Sequence, residues 1–264
     1  MPGECLYAPN EIEKMLQTLH GLEERGLNLI TSMIEFPYRS TKAREYAVKG
    51  FSRRAFTIHR CIANVFRLLP PYQIAIPRDL TDVEINLQSF VANAFGALDN
   101  MAWVWACENS ERTGAPLPAR FAVGLREKNK DLRLTLSEEF ARLLDDCSDW
   151  LRYLEDYRDS LAHRVPLYVV PYIVSLENGP EYDRLGRLIE IAATGDDHEG
   201  YTALRYSQSQ LMEFKPVMIH SIDEAVGHIP FHRQMLDDFF TLETIAMKML
   251  EDMQSKLTSG AWRS

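Results

Sequence analysis

The chain has 264 residues, 46% of them hydrophobic and 25% charged, a usage that excludes a disordered, collagen-like or disulfide-framework protein. Its 29 Lys and Arg stand against 38 Asp and Glu, a formal net charge of −9, which argues against a generic nucleic-acid coating protein. Cys5, Cys61, Cys107 and Cys147 form no C-x-x-C pair, so reduced structural thiols are expected.

In chain order, apolar residues at Ile12, Met15, Leu16, Leu19 and Leu22 predict a first helix from Asn10, its cap, to about Phe36, with Gly21 and Gly26 as candidate breaks. A second helix is expected from about Thr41 to Leu69, capped by Ser40 or Thr41 and stopped by Pro70-Pro71. Its inward face would carry Tyr46, Phe56, Ile62, Val65 and Phe66. Thr81-Asp82-Val83-Glu84 has the spacing of a capping box and opens a long apolar-rich helix to about Glu108.

Residues 109–129 contain Gly114, Pro116 and Pro118 and read as an irregular connection with one short helix. Helical spacing returns at Ser137 and continues to His163, with a break expected between Asp146 and Ser148. Pro166 to Val174 is β-branched and aromatic, which suits an edge strand, and Phe214 to His220 is its expected partner. Between them a helix is expected over Glu181 to Ala193, followed by a polar loop at Gly195 to Gly200. The last helix starts near Phe231 and runs to about Leu257. The predicted fold is mainly α: an antiparallel helical bundle forming a single domain over residues 1–264, with a small β-hairpin-containing insertion at 165–222 before the last helix.

No basic segment followed by an apolar run opens the chain, and no stretch approaches the roughly 18–20 apolar residues of a transmembrane helix. A cytoplasmic location and no membrane partner are expected. P-loop, GxGxxG, GxSxG and HExxH motifs are lacking, as is E-x-x-H, so no cofactor and no metal site are expected. Glu155, Asp159 and His163 recur every four residues, the one spacing that would suit a bundle cation site.

The sharpest local feature is Tyr157-Arg158-Asp159-Ser160-Leu161-Ala162-His163-Arg164 at the end of a long predicted helix. Arg158, four intervening residues and His163, with a polar residue directly after the arginine, resemble the R-x4-6-H signature of the HEPN superfamily. Arg54 and His59 share that spacing, but Ala55 follows the arginine there. The resemblance implies a helical bundle, a homodimer whose two motifs meet at the interface, and a metal-independent endoribonuclease cleaving RNA by 2′-OH attack. Toxins with an antitoxin or other protein partner, and phage-defence effectors, belong to the same superfamily. It extends over about six residues of motif and the helical stretch up to about residue 165.

The residue chemistry is compatible with that role. An imidazole changes charge near neutral pH and can take a proton from a ribose hydroxyl or give one to a leaving oxygen. Arg158 can hold the scissile phosphate, and Asp159 can orient either partner. Residues five apart on a helix are, however, about 140° apart around its axis. A plainer reading makes His163 and Arg164 a C-cap, with Arg158 paired to Glu155 or Asp156 on the surface. The fold would then serve to bind RNA, nucleotide or protein without catalysis.

Between Tyr38 and Arg67, eight basic residues face Glu45 alone, a local balance of +7 that leaves 21 Lys and Arg against 37 Asp and Glu, or −16, elsewhere. Arg53, Arg54, His59 and Arg60 on this helix, with Arg164, are the candidate RNA-binding residues, and Tyr46 and Phe51 could stack on bases. The alternative is that this helix pairs with the acids of residues 137–159. Asp99-Asn100, inside the third helix, is either a neighbour of Arg158 or an ordinary buried hydrogen-bonding pair. His220, His228 and His232 are expected to be structural.

Overall fold

A computed structural model describes residues 5–195, 197–220 and 227–262. The fold is mainly α, with small antiparallel strand pieces before the last helix. Helix α1 spans Pro9–Glu35 without interruption at Gly21 or Gly26. Its cap is Ala8 rather than Asn10, with Pro9 at the first helical position and the Glu11 carboxylate accepting the Ala8 N–H at 2.9 Å.

The second predicted helix is one helical run with a widened turn inside it: α2 (Thr41–Glu45), a π-turn (Tyr46–Phe51) and α3 (Ser52–Leu68). Ser40 caps it, its hydroxyl accepting from the Ala43 N–H at 3.3 Å. The π-turn lets the Asn100 side chain lie directly against Gly50, where a Cβ would approach it to 2.8 Å. Of the predicted inward face, Ile62, Val65 and Phe66 are buried and Tyr46 is half-buried, but Phe56 is exposed.

Helix α4 (Thr81–Thr113) is the central element, packing against α3, the π-turn, α7 and α10. Because neighbours surround it, apolar residues such as Leu87, Phe90, Val91, Val104 and Trp105 are buried on several sides; each large one contributes about 1.5–3 kcal/mol by burial. The expected capping box does not close. Leu80 is the cap, Thr81 donates its N–H to Asp79 at 2.8 Å, and the Glu84 carboxylate instead accepts the Val169 N–H at 3.0 Å. Gly114, at φ 73°, ends the helix in the left-handed conformation that suits glycine.

A 3₁₀ turn at Arg120–Ala122 and the short α5 (Lys130–Arg133) lead to α6 (Glu138–Asp146) and α7 (Ser148–His163). These two meet at Cys147, inside the predicted break. Strand β1 (Tyr168–Val169) pairs with β4 (Val217–Ile219), inside the predicted partner, whereas β2 (Ile173–Val174) pairs with β3 (Met212–Glu213), just before it. An unforeseen β5 (Ile229–Pro230) makes β4 the middle of a three-stranded sheet. Between β2 and β3 lie α8 (Gly179–Thr194) and α9 (His198–Ser209). The second of these was expected to begin as polar loop; it is a polar helix packed on α8, capped by the Asp197 carboxylate at the Gly200 N–H, 2.9 Å. Helix α10 (Phe231–Ser259) closes the bundle against α1, α3, α4 and α6. Among the described residues no helix is long and apolar enough to cross a membrane.

Candidate functional site

Helix α7 carries Arg158 and His163 to different surroundings. Arg158 turns towards α4: its guanidinium lies 4.2 Å above the centre of the buried Phe95 ring, and Nη1 donates to Asp159 at 2.9 Å. Its Nε is buried without a hydrogen-bond partner among the described residues. His163, the last residue of α7, is exposed, with no hydrogen bond or ion pair to the described residues. The helix stays regular between them, so the two side chains leave it about 140° apart and do not share a face within one chain.

The surface that receives Arg158 is built on α4. Phe95 and Asp99, one turn apart, form one side. Asn93, Gly96 and Asn100 form the adjacent side, where Arg54 crosses from α3. Arg54 Nε donates to Asn100 Oδ1 at 3.1 Å and Nη1 to Asn93 Oδ1 at 3.3 Å. Gly96 makes room for it, since a Cβ there would push the Arg54 guanidinium aside. Arg126, from the connection after α4, also lies over Phe95, 5.3 Å from its centre. It pairs with Glu155, which Lys128 also contacts at 2.9 Å.

Asp99 sits among these cations. Burial raises its carboxyl above the usual aspartate range, against the opposing pull of Arg126, Arg158 and Arg54. Four cations (Arg54, Arg126, Lys128, Arg158) thus gather with three carboxylates (Asp99, Glu155, Asp159) on a part-exposed face of an acidic chain. Arg158 and Arg126 side chains are 34% and 21% exposed, enough for a solute anion to reach them.

The remaining candidates are dispersed. Arg53 and Arg60 project from α3 into solvent. His59 faces α1, where a Cβ on Gly26 would lie 3.7 Å from its ring, and burial lowers its pKa, with Glu23 opposing. Arg164 pairs with Asp156 at 2.5 Å, and Asp156 also meets His220 Nε2 at 3.2 Å. Neither aromatic proposed to stack on bases is free: Phe51 is fully buried and Tyr46 stacks on Trp103, centres 5.4 Å apart. Packing, not base contact, explains both.

The alternative, a pairing of the basic helix with the acids of α6 and α7, does not form among the described residues. Among the described residues its only ion pair is Lys49 with Glu45, while Glu139, Asp145 and Glu155 take Lys248, Arg133 and Arg126. His232 is structural, as expected: Nε2 meets the Leu69 carbonyl at 2.6 Å and burial lowers its pKa to about 4. Among the described residues no group of three or more His, Cys, Asp or Glu side chains is placed to hold a metal ion.

Sequence reasoning missed Arg126, Lys128 and Phe95. The signal for the α4 platform was present in the spacing Asn93, Gly96, Asn100, small polar residues on one face of an otherwise apolar helix; Arg126 and Lys128 sit in a connection without periodicity to read. Compared with protein-family models, curated proteins and solved structures, the chain matches none.

Proposed function

We propose that this protein is a metal-independent endoribonuclease of the HEPN kind, acting as a homodimer through Arg158 and His163. The observation that carries the reading is the placement of the motif: Arg158 stands among cations on the α4 face, and the His163 imidazole is exposed at the end of the same helix, with no hydrogen bond or ion pair among the described residues. In the proposed step an imidazole takes the proton of a ribose 2′-OH, O2′ attacks the adjacent phosphorus, and the P–O5′ bond breaks. The 5′-oxygen leaves with a proton, and a 2′,3′-cyclic phosphate remains. Arg158 stabilises the charge gathering on the phosphoryl oxygens. The separation of the two side chains around α7 supports a composite site, with arginine from one protomer and histidine from the other.

The ends of the products test the chemistry. A single-stranded RNA incubated in EDTA should yield 2′,3′-cyclic phosphate ends, and a strand with one 2′-deoxy residue should resist cleavage at that step. Cutting at the deoxy residue, or products with 5′-hydroxyl-free, 3′-hydroxyl ends, would rule the scheme out. A second reading, a protein of this fold that binds RNA without cutting it, draws on the same separation of Arg158 from His163; it predicts binding with no product of either kind.

A further inference from the structure

The cation cluster is wider than one phosphate needs. Arg158 and Arg126 share the Phe95 ring, and Arg54, over the adjacent side of α4, acts on the same Asp99 carboxylate. Arg54 is held by two neutral amide oxygens rather than by a direct ion pair, so its orientation is fixed while its charge stays available. Beyond Arg126 a cleft of about 190 Å³ opens between the 126–133 segment and helices α6 and α7, lined by the cations Arg126, Lys128, Arg133 and Arg152 and by the acids Glu127 and Glu155, among others. That is below the roughly 300–1,000 Å³ of ordinary ligand pockets and suits a phosphoryl group with part of a ribose. Its cations are balanced in place by Glu155, Asp145 and Asp149, which favours a backbone phosphate that shares them over a tightly held free anion.

We propose that Arg54 and Arg126 are phosphate-binding residues on either side of Arg158, so that the site takes a single strand carrying at least three adjacent phosphodiesters, which leaves past Lys128 along this cleft. The inference rests on the ribonuclease reading for the phosphate at Arg158. It places the strand on the α4–α7 face, away from the exposed Arg53 and Arg60 of α3.

The test is binding of fluorescein-labelled 2′-O-methyl hexauridylate, which the proposed reaction cannot cut, as a function of salt. Arg54→Ala and Arg126→Ala should each weaken binding about tenfold and lower the slope of log affinity against log salt by about 0.7, the loss of one single-strand phosphate contact. Arg184→Ala, on α8 and paired with Glu181, should change neither. Arg126→Lys should recover most of the slope, which separates lost charge from lost folding, and thermal melting of each variant monitors the fold. If Arg158→Ala weakens binding but Arg54→Ala and Arg126→Ala do not, the flanking subsites are wrong while the ribonuclease reading stands. If Arg54 and Arg126 variants behave as expected but the wild type cuts no RNA, the subsites stand and the ribonuclease reading falls. No binding by the wild type overturns the subsites directly.

Discussion

Glu108 shows how a single buried charge is made tolerable, and what its loss would cost. Fully buried, it accepts the N–H groups of Arg39 and Ser40 at 2.8 and 2.9 Å and pairs with Arg112. One carboxylate therefore fixes the corner where α1 hands over to α2. Glu108→Ala leaves two backbone donors and a guanidinium unpaired and should lower unfolding free energy by about 3–5 kcal/mol in urea titrations; a loss under 1 kcal/mol would contradict this role. Asp238 is the opposite case. Burial raises its pKa to about 7, offset by hydrogen bonds from Gln234, Trp150 and Tyr153. The folded state thus binds the proton more tightly than the unfolded chain, whose aspartate titrates at its ordinary 3.8. The stabilisation is full below about pH 4 and is lost as pH rises through 7, at about 1.4 kcal/mol per unit of separation. Asp238→Asn mimics the protonated form, so its stability relative to wild type should rise by a few kcal/mol between pH 4 and pH 8. Parallel stability profiles would refute the assignment.

At the level of elements, the helices with strong apolar periodicity were readable: α1, α4, the α6–α7 pair with its break, and α10 lie close to where spacing put them, although the caps expected at Asn10 and Thr81 do not form and α4 runs past Glu108 to Thr113. What escaped has physical reasons. A π-turn leaves no mark in a binary pattern, and its close contact, Asn100 against Gly50, comes from another helix. Helix α9 (HEGYTALRYSQS) has almost no apolar face, since among the described residues it packs chiefly on α8. For the candidate site, Arg158, His163, Asp159, Arg54 and Asp99 could be named from sequence, but which of them come together could not. Residues 54, 99, 126 and 158 meet only through packing of α3, α4 and α7. Helices α8 and α9 carry a further expectation. Their buried Leu185, Ile189 and Ala192 lie outside the main core, and β2 and β3 pair directly at their base, Val174 opposite Met212. Replacing residues 175–211 with an Asn-Gly turn should preserve the bundle and shift Tm by less than about 4 °C, the effect of roughly 1 kcal/mol. Loss of cooperative melting would show that the excursion supports the bundle.

For the whole molecule, the net charge of −9 conceals a division. The +7 run over residues 38–67 forms few ion pairs of its own, and Arg54 from that run joins Arg126 and Arg158 on the central helix. RNA contact on such a protein should be local and salt-sensitive. Dimerisation is the claim that turns this face into a reacting site, and mixing inactive variants addresses it. If each site takes arginine from one protomer and histidine from the other, equal amounts of Arg158→Ala and His163→Ala, exchanged into mixed dimers, should recover about a quarter of wild-type activity, one intact site in half the dimers; no recovery would place both residues of a site in one chain. The most direct measurement remains cleavage itself: single-stranded RNA in EDTA with wild type, Arg158→Ala and His163→Ala, each checked for folding. The account predicts that the wild type cuts and that each substitution lowers the rate at least about 100-fold. An inactive wild type, or variants that both cut as fast as it does, would contradict it.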